Sequence, residues 1–284
     1  MSLDLAHLQS WIGRSEASEE RLHPFPSNAL AATLNRDDPA YAEGVDLPPL
    51  WHWLHFLPIS PLNAAGPDGH PARGGFLPPV PLPRRMWAGS RFTFLAPLKI
   101  GDVARRVSTV KSVTHKSGKS GDLVFVTVRH EIAGPDGPAI EEEHDIVYRP
   151  APVPGAPQLA AMPAPAEAQW SFPTVPDAVL LFRYSALTFN SHRIHYDLEY
   201  VTKEEGYPGL IVHGPLIAML LLDGLRRAKP QARVTRFAFR ALAPTFHIDP
   251  FAVHGAVDAP GHARLWAEKA GAMTMDGTAE FVDS

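Results

Sequence analysis

The hydrophobic pattern of the chain changes character three times. Residues 3 to 12, LDLAHLQSWI, repeat Leu5, Leu8, Trp11 and Ile12 at helical spacing, which predicts a short amphipathic helix on the surface of the first half. Ser27 to Leu34 predicts a second short helix, and Pro48 to Phe56 an aromatic helical segment. Residues 58 to 90 carry many Pro and Gly and little periodicity, so they predict a long irregular excursion of the kind that often bears function. From Arg91 the pattern turns to strands, RFTFLAPL, VARRVSTVKSVTHK, GDLVFVTVRHEIA and AIEEEHDIVYR, whose alternation is that of an antiparallel sheet with one buried face. A Pro/Ala-rich stretch at 151–168 predicts a linker. After it come Tyr184 to Arg227 and then strands again to the C-terminus.

The stretch from Tyr184 to Arg227 organises the rest, because polar side chains run directly into an apolar helix. Pro215 suits a first helical turn, and LIAMLLLDGL is apolar on nearly every face before Arg226 and Arg227. A helix of about 14 residues, roughly 21 Å long, follows, which a curved sheet must wrap. Its first free N–H groups, near Gly214, face whatever lies before the helix and could receive a developing oxyanion. A repeat supports two halves: Arg91-Phe92-Thr93-Phe94 recurs as Arg236-Phe237-Ala238-Phe239, and Leu95-Ala96-Pro97 as Leu242-Ala243-Pro244. The domains expected are 1–150, the linker 151–168, and 169–284 carrying the polar motif.

Composition narrows the class. The 284 residues are 45% hydrophobic and 20% charged, enough for proper cores. A net charge of -4, with Arg and Lys dispersed, gives no footprint for nucleic acid. The chain has no cysteine, hence no disulfide, thiolate nucleophile or cysteine-bound metal. No secretory signal or membrane anchor is expected, since the longest apolar run, 216–222, is too short to span a bilayer, and a cytoplasmic setting fits.

Asn190-Ser191-His192-Arg193-Ile194-His195, followed by Val212-His213-Gly214-Pro215, resembles the MaoC-like hotdog hydratases, whose signature runs Gly-Asp-x-Asn-Pro-x-His before an Ala-His-Gly-type helix start. His195 falls on the signature histidine and His213-Gly214 on the helix-start pair. Phe189 stands for the glycine, Asn190 for the aspartate, His192 for the asparagine and Arg193 for the proline. LPRRMWAGSRF from Leu82, SGDLVFVTVRHEI from Ser120 and EEEHDIVYR from Glu141 are similar to the mesaconyl-C4-CoA or itaconyl-CoA hydratase subgroup, whose N-terminal half is degenerate.

The resemblance implies an α+β double hotdog fold, two antiparallel sheets each wrapped around a helix, and the repeat predicts that the two lie side by side as one continuous sheet. It implies a hydro-lyase acting on an acyl-CoA thioester, most specifically mesaconyl-C4-CoA or itaconyl-CoA to citramalyl-CoA. Coenzyme A belongs to the substrate, and no cofactor or metal is expected. A homodimer is expected. In the roles it implies, His195 is the base, Asn190 holds water and Gly214 receives the thioester oxygen. Arg84, Arg85, Arg183, Arg193 and His213 are candidate substrate contacts, His213 with a structural role at the helix start as the stronger reading. An aspartate at 190 would repel a substrate carboxylate, so Asn190 predicts a dicarboxylate-derived substrate anchored by a cation such as Arg183 or Arg193.

Each residue also has a plainer reading. His195 can be a satisfied core histidine, Asn190 a turn cap, and the arginines surface charges. His192, His195 and Asp197 make a weak metal set lacking a further carboxylate at recognisable spacing. Alternatives for the whole chain are a fatty-acid type 2-enoyl-CoA hydratase or 3-hydroxyacyl-ACP dehydratase, a thioesterase, and a non-catalytic acyl-CoA-binding protein.

Overall fold

The computed structural model describes residues 3–118, 121–151 and 161–283. Its strands are β1 (Ser15–Arg21), β2 (Arg84–Phe94), β3 (Val103–Gly118), β4 (Gly121–Gly134), β5 (Gly137–Arg149), β6 (Trp170–Thr174), β7 (Ala232–Ala241), β8 (Phe251–Ala259), β9 (His262–Lys269) and β10 (Ala272–Asp283). They form one antiparallel sheet in the order β1-β3-β4-β5-β2-β7-β10-β9-β8-β6. The strands before the linker occupy one side and those after it the other. The two halves therefore lie side by side in one continuous sheet, as the repeat predicts.

The repeat seen in the sequence is the seam. β2 pairs with β7, and Phe92 lies opposite Phe237, its own counterpart in the repeat, with ring centroids 6.0 Å apart. The bulges that follow match as well. Leu95 and Ala96 both donate to the Ala139 carbonyl at 2.8 and 3.2 Å, and Leu242 and Ala243 both donate to Thr274 at 2.9 and 3.2 Å. Leu47 donates to Leu98 in the first half as Val212 donates to Thr245 in the second, so Pro48 takes the place of His213 and Pro49 that of Gly214.

After those matched positions the halves part. In the second, α5 (Gly214–Ala228) has Pro in its first turn and Arg226 and Arg227 in its last, where cations suit the helix dipole. Leu216, Ile217, Leu221, Leu222 and Leu225 are buried against the C-terminal strands, each contributing roughly 1.5–3 kcal/mol. Its one buried acid, Asp223, is paired with Arg36 and Arg226. In the first half the aromatic segment shortens to a four-residue 3-10 turn, Trp51–Leu54. With α2 (Pro24–Thr33) it fills the core space a long helix would take. The expectation of a helix wrapped by each half is thus met fully only in the second.

Several boundaries differ from expectation. The first helix is α1 (Leu5–Gln9), capped by Asp4, with Leu8 buried. β2 starts at Arg84, inside the excursion, because Arg84 to Trp87 pair with β5 ahead of a bulge at Trp87/Gly89. β1 and β6 went unpredicted; they are edge strands whose side chains are largely exposed, so they show no buried alternation, and the glutamates of β1 guard its edge. Also unpredicted are α3 (Ala178–Leu187) and α4 (Leu198–Lys203), capped by Asp177 and Asp197. Of the expected linker, residues 152–160 lie outside the described residues; Met162 and Ala164 bond alongside Gly271 and Met273.

Candidate active site

The polar motif is a turn between α3 and α4. Phe189, where the hotdog signature has glycine, sits at φ +49, a left-handed conformation costing about 1–2 kcal/mol for a residue with a Cβ. Asn190 then closes the turn: its N–H donates to Ser185 O at 2.9 Å, and its Oδ1 accepts from His192 N–H at 3.0 Å. That is the capping role the sequence offered as the alternative to holding water, and it leaves the amide NH₂ as the free group.

His195 ends the following 3-10 turn, Arg193–His195, and is 7% exposed. Ile211 N–H donates to Ile194 O at 2.9 Å, and His195 Nδ1 lies 2.7 Å from Ile211 O. A carbonyl only accepts, so Nδ1 carries the proton and Nε2 keeps a lone pair. Burial lowers His195 to about 4, against the Ile211 hydrogen bond, which favours the cation. The ring is neutral at pH 7.

His213 stacks on it at 3.6 Å and 18°, is 0% exposed, and its Nε2 lies 2.9 Å from Ser185 Oγ. Burial, then the neighbouring His195 and His192, hold it well below its usual range. The ring is fully buried with one face on His195 and its Nε2 on Ser185, a place from which it holds the His195 ring rather than lining the open space. Gly214 opens α5 directly after it. A Cβ there would meet nothing within 4 Å, so the space before the helix start is open.

The irregular loop of the first half docks on this motif, which the sequence did not reveal. Asp68 O accepts from Arg193 N–H at 2.9 Å, Ser191 Oγ donates to Gly69 O at 2.5 Å, and Arg193 Nη1 donates to Pro67 O at 3.0 Å. Asp68 in turn accepts from the His70 N–H at 3.0 Å, and its Oδ2 lies 3.1 Å from His70 Nδ1. The His70 ring packs 3.9 Å from that of His192. Asp68, His70 and His192 bring donor atoms within 4.8 Å of one another, a spacing that could hold a metal ion. The set considered from sequence is not gathered, since Asp197 caps α4 through Tyr200 N–H and binds Arg193.

The four candidate arginines separate clearly. Arg84 is committed to Glu205 at 2.9 Å and to Tyr207 OH at 2.9 Å. Arg193 binds Asp197 through Nε and Nη2 at 3.0 and 2.8 Å and lies over the Tyr200 ring. Both charges are thus paired within the protein. Arg183 is exposed on α3 and lines neither cleft described below, because its helix turns Leu181, Tyr184 and Ser185 inward instead. Of the four, Arg85 faces the motif without a carboxylate partner among the described residues; it hydrogen-bonds Tyr148, and its charge bears on His70 and His192.

Asp68, Arg85, His192, Ile194 and Tyr207 line a cleft of about 30 Å³, room for one or two waters. A larger cleft of about 200 Å³ lies between the end of α2 and α5, beside Asp223 and Arg227. It holds no free acid or base, because Asp223 is paired with Arg36 and Arg227 is stacked on Phe172 at 3.8 Å. The first lies against the motif at His192 and Ile194.

The sequence profile of hydroxyacyl-thioester dehydratase type 2 matches residues 50–247. A mesaconyl-C4-CoA hydratase from Chloroflexus aurantiacus is 50% identical over 249 residues, covering 87% of this chain and 88% of that one. A mitochondrial hydroxyacyl-thioester dehydratase type 2 from Schizosaccharomyces pombe is 29% identical over 262 residues, covering 82% and 87%. Among solved structures, a MaoC-like dehydratase from Phytophthora capsici superposes with a TM-score of 0.71 at 14% identity over 99% of both chains. A MaoC domain dehydratase from Chloroflexus aurantiacus gives 0.65 at 15%, covering 95% and 94%. These two share the fold.

Proposed function

Since this chain belongs to the hydroxyacyl-thioester dehydratase type 2 family and is an acyl-thioester hydratase or dehydratase of the hotdog fold, we propose that it adds water to mesaconyl-C4-CoA to give citramalyl-CoA. The observation that carries the proposal is His195: buried, neutral, with its tautomer pinned by Ile211 and its lone pair on Nε2. In this reading Nε2 takes a proton from water as the oxygen attacks the β-carbon. The thioester oxygen gathers charge against the first N–H groups of α5 at Gly214, and the proton returns to the α-carbon. Burial makes the His195 cation a strong acid, so it returns the proton readily. Asn190 donates through its free NH₂, and Arg85 faces the substrate's free carboxylate. The steps are acid–base steps and call for no metal or redox group. Support for the substrate comes from the 50% identical relative.

The test offers the purified protein mesaconyl-C4-CoA, itaconyl-CoA and crotonyl-CoA, following enoyl absorbance and free thiol together. Loss of absorbance without thiol, fastest on mesaconyl-C4-CoA, is expected. Thiol release would make it a thioesterase, and ligand-induced stabilisation without turnover an acyl-CoA binder. Preference for crotonyl-CoA would favour the second reading, fatty-acid type dehydration, which the name of the Schizosaccharomyces pombe relative supports.

Gly214→Val should keep the fold, because the site of its Cβ is open, and lower kcat/KM by about 10²-fold by filling the thioester's place. A folded, fully active variant would mean that the thioester lies elsewhere. The proposal includes a cytoplasmic homodimer. Val179 and Phe182 on α3, 58% and 64% exposed, leave an apolar strip suited to such contact.

No helix among the described residues is long and apolar enough to cross a membrane.

A further inference from the structure

His213, His195, His192 and His70 follow one another with ring centroids 3.6, 5.5 and 3.9 Å apart, and the row ends on the Asp68 carboxylate. Three of the histidines come from the second half, while His70 and Asp68 come from the first. Their meeting is built into the backbone. Gly69, at φ +89, lies so close to the motif that a Cβ would fall 1.9 Å from Ser191 O, and hydrogen bonds from Ser191 and Arg193 flank that contact.

When His195 takes the proton of water, an imidazolium forms in a place that burial already makes hostile to cations. Among the described residues of the second half, position 190 is an amide, Asp197 is bound to Arg193 and to the start of α4, and Glu205 is paired with Arg84. On the first-half side Arg85 and Arg73 face His70 and oppose a cation there, and at the other end of the row stands buried His213. Asp68 is the carboxylate whose charge favours protonation of His70 and His192.

We infer that Asp68, acting through His70 and His192, supplies the carboxylate of this active site. Its Oδ2 fixes His70 as the Nδ1–H tautomer, and its charge steadies the proton while that proton resides on His195. The inference rests on the hydration reading and deepens it. Water gives its hydroxyl to the β-carbon and a proton to His195, and the π pair passes to the α-carbon and thioester oxygen. The proton on His195 Nε2 then goes to the α-carbon, leaving every histidine as it began. Asp68 is a positioning residue. The hydrogen bonds from the His70 ring and backbone outweigh its burial and hold it well below the usual carboxylate range, so it stays charged.

Asp68→Asn keeps an acceptor for the His70 N–H. Expected are a fall in kcat of about 10²-fold or more, KM within about threefold, and an acid limb of the kcat profile moved to lower pH, because the imidazolium has lost its counter-charge. Asp68→Glu should recover part of kcat. Nitrogen NMR of the free protein reads the same link without substrate: His70 as one Nδ1–H tautomer in the wild type, a mixture in Asp68→Asn. A wild type inactive on all enoyl-CoA substrates overturns the hydratase reading, while that NMR change would still uphold the hydrogen-bonded link. Unchanged kcat with an unmoved acid limb in Asp68→Asn overturns the inference. Loss of wild-type activity to a chelator, restored by a divalent cation, also overturns it and gives the donors to a metal.

Discussion

Replacing His195 with alanine is expected to lower kcat by about 10²–10⁴-fold, the loss for removing a positioned acid/base group. The fold should survive, because the His213 ring beneath it is held independently by Ser185. The pH profile carries the sharper information. Hydration needs the neutral ring, so a His195 at its ordinary value would lose activity as pH falls through about 6.5. Burial lowers it to about 4. The hydration rate should therefore stay level from neutral pH and fall only as pH drops through about 4. An acid limb near 6.5, or a folded His195→Ala variant with unchanged turnover, would remove His195 from the chemistry. Stability follows the same sign. His192 and His195 are both depressed chiefly by burial, so their contribution to folding is full above about 6.5 and is lost as pH falls through their lowered values, about 4 for His195.

What could be read beforehand was whatever depends on neighbours in sequence. The apolar run after Pro215 predicted a buried helix of about 14 residues, and Gly214–Ala228 is that helix. The Arg91–Phe94 repeat predicted paired halves, and Phe92 lies against Phe237. Periodicity failed where burial did not impose it. β1 and β6 lie at the sheet's edges, and α3 leaves Val179 and Phe182 in the open, so its apolar positions do not mark an inward face. At the site, His195 was legible because its signature is local. Asp68 and His70 were not, because their place depends on Gly69 closing against Ser191 from the far half of the chain. The arginines failed for a related reason: sequence gives each a charge but not the Glu205 or Asp197 that neutralises it.

That neutralisation decides which residue should read the substrate's free carboxylate. Arg84 and Arg193 already have carboxylate partners, and Arg183 stands outside the cleft, which leaves Arg85 beside His192. A charge-assisted hydrogen bond contributes about 1.5–3 kcal/mol, so Arg85→Ala should lower kcat/KM for mesaconyl-C4-CoA by roughly 10–150-fold. Crotonyl-CoA, which has no such carboxylate, should change by less than about threefold, and Arg85→Lys should restore part of the loss. Asn190→Asp tests the same charge balance from the opposite side. An aspartate can still accept the His192 N–H, so the turn should persist, but a new negative charge about 4 Å from a substrate carboxylate repels it by roughly 1–4 kcal/mol. Preference should move toward crotonyl-CoA in both variants, measured as the ratio of the two kcat/KM values. If Arg85→Ala weakens both substrates equally, the arginine serves the coenzyme A portion. If neither variant moves the ratio, the amide at 190 has no bearing on substrate charge.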